Sequence, residues 1–293
     1  CAALLGAAPA LAESGKLKVV ATFSILADMT RQIAGDGAEV TALVPPNGDA
    51  HVYRATPGDA KTLKDAGLII TNGLGFEAFM PRLIKSSGTK AVTVTATQGL
   101  KPLEQKDGDD HGHAHDHGKA DPHAWQSLEA AKTYIANIRD GLIKADPARA
   151  DAYRRNAETY LAEIDTTRKE ITAALAAIPQ DKRIIATTHD ALAYFAKENG
   201  FTLASVQGVS TDAEPSAKDV ARIIRTIRNA KAQAVFVENM TNPKLLSEIA
   251  RETGAKIGGT LFSDSLSDEK GSAPTYIRMM KHNAKALAEA LKP

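Results

Sequence analysis

Three histidines and one aspartate occupy positions from which a folded chain could gather them around a metal ion. His51 and His189 each follow a predicted strand, and Asp264 follows the last predicted strand. His123 lies in the segment Asp-Pro-His-Ala-Trp. Because ligands of open parallel sheets bind beyond the carboxyl ends of strands, we expect these side chains to share one cleft. Three imidazoles and one carboxylate would complete a tetrahedral site of the kind that Zn²⁺ occupies.

The spacing of these four residues does not by itself establish a metal site. Outside a separate His-rich segment, no pair of histidines shows the i,i+4 or His-X-His spacing that is typical of ligands. A single histidine at the end of a strand is more often a surface or hydrogen-bonding residue than a ligand. From the residues alone, both interpretations stay open.

The His-rich segment covers residues 106–119 and reads KDGDDHGHAHDHGK. It contains no apolar side chain larger than alanine, so it cannot form part of a core, and we expect a flexible loop. Its histidines are candidate auxiliary metal ligands: His111, His113, His115 and His117. One interpretation is that they feed Zn²⁺ to the main site. The alternative is a solvated loop that picks up metal incidentally.

The composition narrows the classes of partner. The chain has 36 basic and 35 acidic residues, which leave a net charge of +1, and no segment is rich in lysine and arginine. Nucleic-acid binding needs a concentrated basic face, so nucleic acid is not expected as a partner. No uninterrupted apolar segment is long enough to cross a bilayer.

Residues 1–12, CAALLGAAPALA, have the pattern of the last part of a secretory signal peptide. They are small and apolar, and they close on Ala-Leu-Ala, an A-x-A cleavage site. Cys1 precedes most of this apolar segment, whereas a lipidated cysteine would follow it, so we expect a soluble periplasmic protein without a lipid anchor. The alternative is a disordered apolar N-terminus. Because Cys1 is the single cysteine, a metal site in the mature chain must use histidine and carboxylate ligands.

Short β-branched segments alternate with helical patterns in both halves of the chain, which indicates parallel sheets covered by helices. Strands are predicted at Leu17–Ile25, Val40–Val44, Leu68–Thr71, Ala91–Ala96, Arg183–Thr188, Thr202–Val206, Ala234–Glu238 and Lys256–Phe262. Helices are predicted at Ser24–Ala34, Pro57–Ala66, Phe76–Ser86, Ser127–Lys144, Pro147–Ile178, Ala191–Asn199, Ala217–Ala230, Pro243–Thr253 and Tyr276–Leu291. The longest helix carries apolar residues at steps of three or four, with Asp146 as its expected N-cap.

The predicted architecture is therefore α/β, with two (β/α) lobes that contain parallel sheets and are joined by a long rigid helix. The metal site is expected in the cleft between the lobes. The predicted divisions are a signal-peptide remnant at 1–12, an N-terminal lobe at 13–145 that includes the His-rich loop at 106–119, a linking helix at 146–179 and a C-terminal lobe at 180–293.

Six segments in the same order resemble the metal-specific solute-binding proteins of ABC importers, the family known as cluster A-I or cluster 9. The segments are GDAHVYRATP from residue 48, NGLGFE from 72, DPHAW from 121, THDALAYF from 188, AEPS from 213 and LFSDSL from 261. The resemblance covers essentially the whole mature chain. It implies two lobes joined by a long helix with the metal between them, and it maps the family's ligand positions onto His51, His123, His189 and Asp264.

The resemblance also implies which metal is bound. Manganese and iron members of the family tend to place a carboxylate where this chain has His189, and imidazole suits Zn²⁺ better than it suits Mn²⁺. The expected function is capture of Zn²⁺ for an ABC-type import permease, with a manganese-binding member of the family as the alternative. Asn72, Asp121 and Glu214 are the candidates for orienting the ligand imidazoles.

The expected partners are the membrane permease of the importer and, as an open question, a periplasmic zinc metallochaperone. We expect a monomer. A zinc-dependent hydrolase is the alternative from another class, but a catalytic zinc keeps one position open for water and this site would have four protein ligands. No HExxH segment, nucleophile elbow or phosphate loop is present. A surface adhesin is a third possibility, since some family members have been assigned such roles.

Overall fold

The computed structural model describes residues 15–104 and 120–292. The N-terminal lobe comes first along the chain. Its elements are β1 (Leu17–Phe23), α1 (Ser24–Ala34), β2 (Ala38–Val44), α2 (Pro57–Lys64), β3 (Leu68–Thr71), α3 (Met80–Ser87), β4 (Val92–Thr95) and α4 (Leu128–Ala145). The four strands pair in parallel in the order β2-β1-β3-β4. Parallel neighbours need crossover connections, which explains the alternation of strand and helix in the sequence.

One predicted helix start in this lobe is wrong. Helix α3 begins at Met80 rather than at residue 76, because residues 73–75 all have positive φ angles and the chain then turns through residues 76–79. Gly73 has φ 88°, and a Cβ atom there would lie 2.4 Å from Thr95 Cγ2, so this position requires glycine. Pro81, in the first turn of α3, suits a helix that begins at Met80.

The linking helix α5 (Ala150–Leu175) has 26 residues, which corresponds to about 39 Å. A 3₁₀ turn, Pro147–Arg149, precedes it, so the predicted start at Pro147 and the predicted Asp146 cap are both wrong. The Asp146 carboxylate instead accepts hydrogen bonds from the Arg149 and Tyr153 side chains. The buried face of α5 has the predicted three- and four-residue spacing, and it packs against α1, α4 and the last helix of the chain.

The C-terminal lobe repeats the βα alternation. Its elements are β5 (Ile184–Thr187), α6 (Ala193–Asn199), β6 (Thr202–Ser205), α7 (Ala217–Asn229), β7 (Ala234–Glu238), α8 (Pro243–Thr253), β8 (Lys256–Leu261) and α9 (Tyr276–Leu291). Strand β5 pairs in parallel with β6, β7 pairs in parallel with β8, and β5 lies beside β7. Helix α7 begins with a capping box in which Ser216 and Asp219 bond each other's backbone N–H groups.

The largest hydrophobic cluster of the described residues extends through both lobes. This buried cluster contains residues from both halves of the chain: from β1, α1 and α4 in the N-terminal lobe and from β7, β8 and α9 in the C-terminal lobe. Helix α5 packs along it. A smaller cluster fills the outer layer of the C-terminal lobe beneath α7 and α8. Because core packing is dense and resists deformation, a continuous core opposes large movement between the lobes. Within the described residues, no helix combines the length and the apolar character needed to cross a membrane.

Candidate metal site

The four candidate ligands come from four connections that meet between the lobes. His51 lies in the loop between β2 and α2, and His123 immediately precedes the 3₁₀ turn Ala124–Gln126 that leads into α4. His189 follows β5, and Asp264 follows β8. One possible ligand atom from each residue lies within 4.8 Å of all the others. The fold therefore brings together all four residues that the sequence singles out.

Three of the six distances between these atoms are close to the edge of a tetrahedron around a small cation. His51 Nε2 lies 3.4 Å from His123 Nε2 and 3.2 Å from Asp264 Oδ2. His189 Nε2 lies 3.1 Å from the same carboxylate oxygen. A tetrahedral zinc with ligands at ~2.0–2.1 Å would place neighbouring ligand atoms about 3.3 Å apart. These three pairs are already at the spacing that such an ion requires, and all four atoms lie within 4.8 Å of one another.

Asp121, one of the candidates from the sequence, lies against the His123 ring. The His123 ring is fully buried, and its Nδ1 lies 2.8 Å from Asp121 Oδ1, which also accepts the His123 backbone N–H. A carboxylate can only accept, so Nδ1 carries the proton and Nε2 is left free for a metal ion. Asn72 contacts the backbone next to His123. Its Nδ2 donates to Pro122 O, and its Oδ1 accepts a hydrogen bond from the Tyr134 hydroxyl.

His189 is oriented by Glu238, a residue that the sequence had not singled out. Glu238 is the last residue of β7 and is 1% exposed. Its Oε1 accepts the backbone N–H groups of Thr188 and His189, both at 3.0 Å, and its Oε2 lies 2.6 Å from His189 Nδ1. The prediction that Glu214 takes this kind of role is wrong, because Glu214 is an exposed residue in the loop that precedes α7.

Asp264 is held from both lobes at once. It is fully buried, and the preceding carbonyl, Ser263 O, accepts hydrogen bonds from Trp125 Nε1 at 2.8 Å and Gln126 Nε2 at 2.5 Å. The His123 segment and the Asp264 segment are therefore joined directly. Among the described residues, Asp264 Oδ1 has no hydrogen-bond partner. A buried carboxylate oxygen without a partner is costly, and a bound cation would remove that cost.

The imidazoles and carboxylates of the site shift each other's pKa values. Burial alone would lower the pKa of the His189 imidazole, but the Glu238 and Asp264 carboxylates outweigh it and raise that pKa well above its usual value. Burial alone would raise the pKa of the Asp264 carboxyl, but the neighbouring His189 and His123 imidazoles outweigh it and hold that pKa well below its usual range. The raised pKa favours the protonated form of His189 between the two carboxylates when no cation is bound. A divalent cation would replace that proton.

Solvent reaches the site on the His51 side. The His51 side chain is 6% exposed, whereas the other three candidate ligands are 0% exposed. A small cleft of about 30 Å³ lies beside His51 and is lined by both lobes. Phe76 and Pro122 contribute from the N-terminal lobe, and Ser210 and Asp212 contribute from the C-terminal lobe. Four predicted auxiliary ligands lie outside the described residues: His111, His113, His115 and His117. Cys1 also lies outside them.

The family model described as "ZnuA: Zinc-uptake complex component A periplasmic" matches residues 19–290, almost the whole described chain. The chain belongs to this family. Its members are metal-binding solute-binding proteins of ABC importers, which work outside the cytoplasm with a membrane permease. They are not enzymes, so the hydrolase alternative is removed.

Individual relatives carry names with different metals. The chain is 35% identical to the iron-binding protein YfeA of Yersinia pestis, over 94% of this chain and 86% of YfeA. It is 32% identical to the manganese-binding lipoprotein MntA of Halalkalibacterium halodurans, over 94% of this chain and 88% of MntA. The periplasmic zinc binding protein TroA of Treponema pallidum superposes with a TM-score of 0.87 at 27% identity, over 95% of this chain and all of TroA. The two-lobe α/β architecture predicted from the sequence is thus confirmed.

Proposed function

We propose that this protein captures Zn²⁺ in the periplasm, with His51, His123, His189 and Asp264 as ligands, and delivers it to the membrane permease of an ABC importer. The observation that carries the proposal is the group of three imidazoles and one carboxylate whose nearest atoms lie 3.1 to 3.4 Å apart. Zn²⁺ is the cargo in this proposal, not a resident cofactor.

Ligand chemistry supports zinc over harder cations. Three nitrogen ligands and one carboxylate suit Zn²⁺, whereas Mn²⁺ prefers sites that are richer in oxygen. Asp121 beside His123 and Glu238 beside His189 hold each ring with Nε2 toward the site. Partners of this kind raise the basicity of an imidazole ligand and fix its direction. The arrangement therefore resembles a preformed nitrogen-rich site for a borderline-soft ion.

Manganese is the second candidate, and two observations favour it. Relatives that are 32% identical carry manganese in their names, and an Mn-bound periplasmic metal binding protein from Candidatus Liberibacter asiaticus superposes with a TM-score of 0.82 at 30% identity. In this chain both oxygens of Asp264 face imidazoles, with Oδ1 lying 3.6 Å from His123 Nε2. Bidentate binding by Asp264 would add a fifth ligand and an oxygen-richer site.

A competition titration separates the two metals. Metal-depleted protein would be titrated with Zn²⁺ and Mn²⁺ against a chelator of known affinity, and Trp125 fluorescence would report binding because its ring lies 5.1 Å from the His123 ring. We expect one Zn²⁺ per chain and much weaker Mn²⁺ binding. Equal affinities, or tighter Mn²⁺ binding, would replace zinc by manganese as the cargo. If neither metal bound, the proposed function itself would fail.

The remaining parts of the proposal concern organisation and partners. We propose a monomer whose lobes divide at 13–145 and 180–293, joined by the linking segment 146–179, after removal of residues 1–12 as a signal. The His-rich loop, residues 106–119, would speed the capture of zinc without contributing a ligand to the main site. A periplasmic zinc metallochaperone is an additional candidate partner. Size-exclusion chromatography with light scattering tests the first of these proposals directly.

A further inference from the structure

The loop that carries His51 is attached to the opposite lobe. This His51 loop, residues 45–56, connects β2 to α2 and contains no strand or helix. At its start, Pro45 O accepts a hydrogen bond from Ser265 Oγ at 3.4 Å. Asn47 then donates its backbone N–H to Leu266 O at 2.9 Å, and its Oδ1 accepts from Asn239 Nδ2 at 3.1 Å. Asn47 has φ 59°, a left-handed conformation that asparagine tolerates. The loop is thus connected to the C-terminal lobe at the end far from α2.

Asp49 makes the attachment nearest to the candidate ligand, two residues before His51. Its Oδ1 accepts the backbone N–H of His51 at 2.9 Å. Its Oδ2 accepts a hydrogen bond from Thr211 Oγ1 at 2.6 Å, and Thr211 lies in the connection between β6 and α7, on the C-terminal lobe. One carboxylate therefore holds the backbone of a candidate ligand and binds the opposite lobe at the same time.

The position of this pair matters because His51 is the candidate ligand nearest to solvent. An ion held by four side chains cannot leave until at least one of them withdraws. His123, His189 and Asp264 are fully buried, and each is fixed by further contacts within the lobes. Ser210 and Asp212, the neighbours of Thr211, line the small cleft beside His51. Withdrawal of His51 is the movement that opens a path through that cleft.

We propose that Asp49 and Thr211 form a cross-lobe latch, which sets the rate of metal exchange by holding His51 in place without binding the ion. When the latch is broken, the His51 loop loses its attachment to the C-terminal lobe nearest to the ligand, while the three buried ligands keep theirs. The dissociation rate should therefore rise more than the association rate. This inference rests on the proposed metal site but not on which metal fills it.

The test compares Thr211→Val with Thr211→Ser. Valine keeps the shape of threonine but removes the hydroxyl, whereas serine keeps the hydroxyl. Each protein would be loaded with Zn²⁺ or, separately, Mn²⁺, and dissociation would be followed in excess chelator at concentrations where the rate no longer depends on the chelator. Because Thr211→Val removes a hydrogen bond to the Asp49 carboxylate, we expect its dissociation rate to be about tenfold higher than that of the parent protein. Thr211→Ser should stay within about twofold of the parent protein, since its hydrogen bond is retained.

A second pair of variants shows whether the two residues act together. In an Asp49→Ala background, Thr211→Val should have no further effect on the dissociation rate, because its partner is already missing. Equal rates for the parent and Thr211→Val, equal effects of valine and serine, or additive effects of the two substitutions would each overturn the latch. Failure of the parent protein to bind either metal would instead overturn the proposed metal site, so the two failures are distinguishable.

Discussion

Replacing Glu238 by glutamine tests how strongly a residue that touches no metal controls the site. In the metal-bound state His189 binds through Nε2, so its Nδ1 must carry a proton and needs an acceptor. Glu238 Oε2 lies 2.6 Å from Nδ1 and is the nearby carboxylate oxygen for that proton, while Glu238 Oε1 accepts two backbone N–H groups. Glutamine has one acceptor oxygen and one donor group, so in either orientation its NH₂ faces a hydrogen-bond donor.

The expected cost follows from that conflict. Loss of one hydrogen bond to a charged group in a buried site costs about 1.5–3 kcal/mol. Since ~1.4 kcal/mol corresponds to a tenfold change in affinity, Glu238→Gln should weaken Zn²⁺ binding by about ten- to a hundredfold. The site is fully buried on this side, so solvent cannot replace the missing acceptor. The fold should survive, because glutamine has nearly the same volume and can keep either the backbone contacts or the ring contact.

The assay is the competition titration with Trp125 fluorescence, and Glu214→Gln is the matched control. Glu214 is an exposed carboxylate on the same lobe, so its neutralisation removes the same charge without touching His189. We expect the control to bind Zn²⁺ like the parent protein. If Glu238→Gln bound as tightly as the parent, or if both variants lost affinity equally, the argument that Glu238 orients His189 would be refuted.

Three further predictions concern the same site. His189→Glu should shift preference from Zn²⁺ toward Mn²⁺, and an unchanged ratio of the two affinities would remove position 189 as the determinant of selectivity. Deletion of residues 107–119 should slow zinc acquisition in stopped-flow mixing but leave the equilibrium affinity intact, and a large loss of affinity would show that this segment supplies a ligand. Because carboxylates raise the pKa of His189 well above its usual 6.5, this imidazole is protonated at neutral pH without metal. Zinc binding should then release about one proton from His189, and zinc affinity should rise with pH through neutrality. Calorimetry in buffers of different ionisation enthalpy measures the number of protons released. A value of zero at pH 7 would contradict this prediction.

Sequence patterns predicted the elements of the fold well because each depends on local information. Alternation of apolar residues and turn signals placed all eight strands within about two residues of their observed bounds. One error, the start of the linking helix, occurred because a side chain had an alternative set of partners. Asp146 has the sequence context of an N-cap, but the fold places Arg149 and Tyr153 within reach of its carboxylate, and the helix then begins three residues later.

Another error, the choice of Glu214 in place of Glu238, has a different physical cause. Glu238 is the last residue of an ordinary buried strand, and nothing in the segment AVFVE marks its carboxylate as important. Its role depends on β7 lying beside β5, which places the end of one strand next to His189 at the end of the other. That neighbour relation is a property of the topology, not of either segment. Asp121 could be predicted because it lies only two residues from the ring that it contacts.

The four candidate ligands differ in mobility, and this difference suggests a division of work between them. His123 and Asp264 are joined to each other through Ser263, and His189 is joined to two strand ends by Glu238. These three are fixed to a core that continues through both lobes. Of the four, only His51 has a partly exposed side chain, and its loop is attached to the other lobe by hydrogen bonds at Pro45, Asn47 and Asp49. A protein that must bind tightly and still release its cargo needs both properties. Affinity can then be set by the three buried ligands, while the exchange rate is set at His51, so a change at the latch should alter residence time without remodelling the rest of the site.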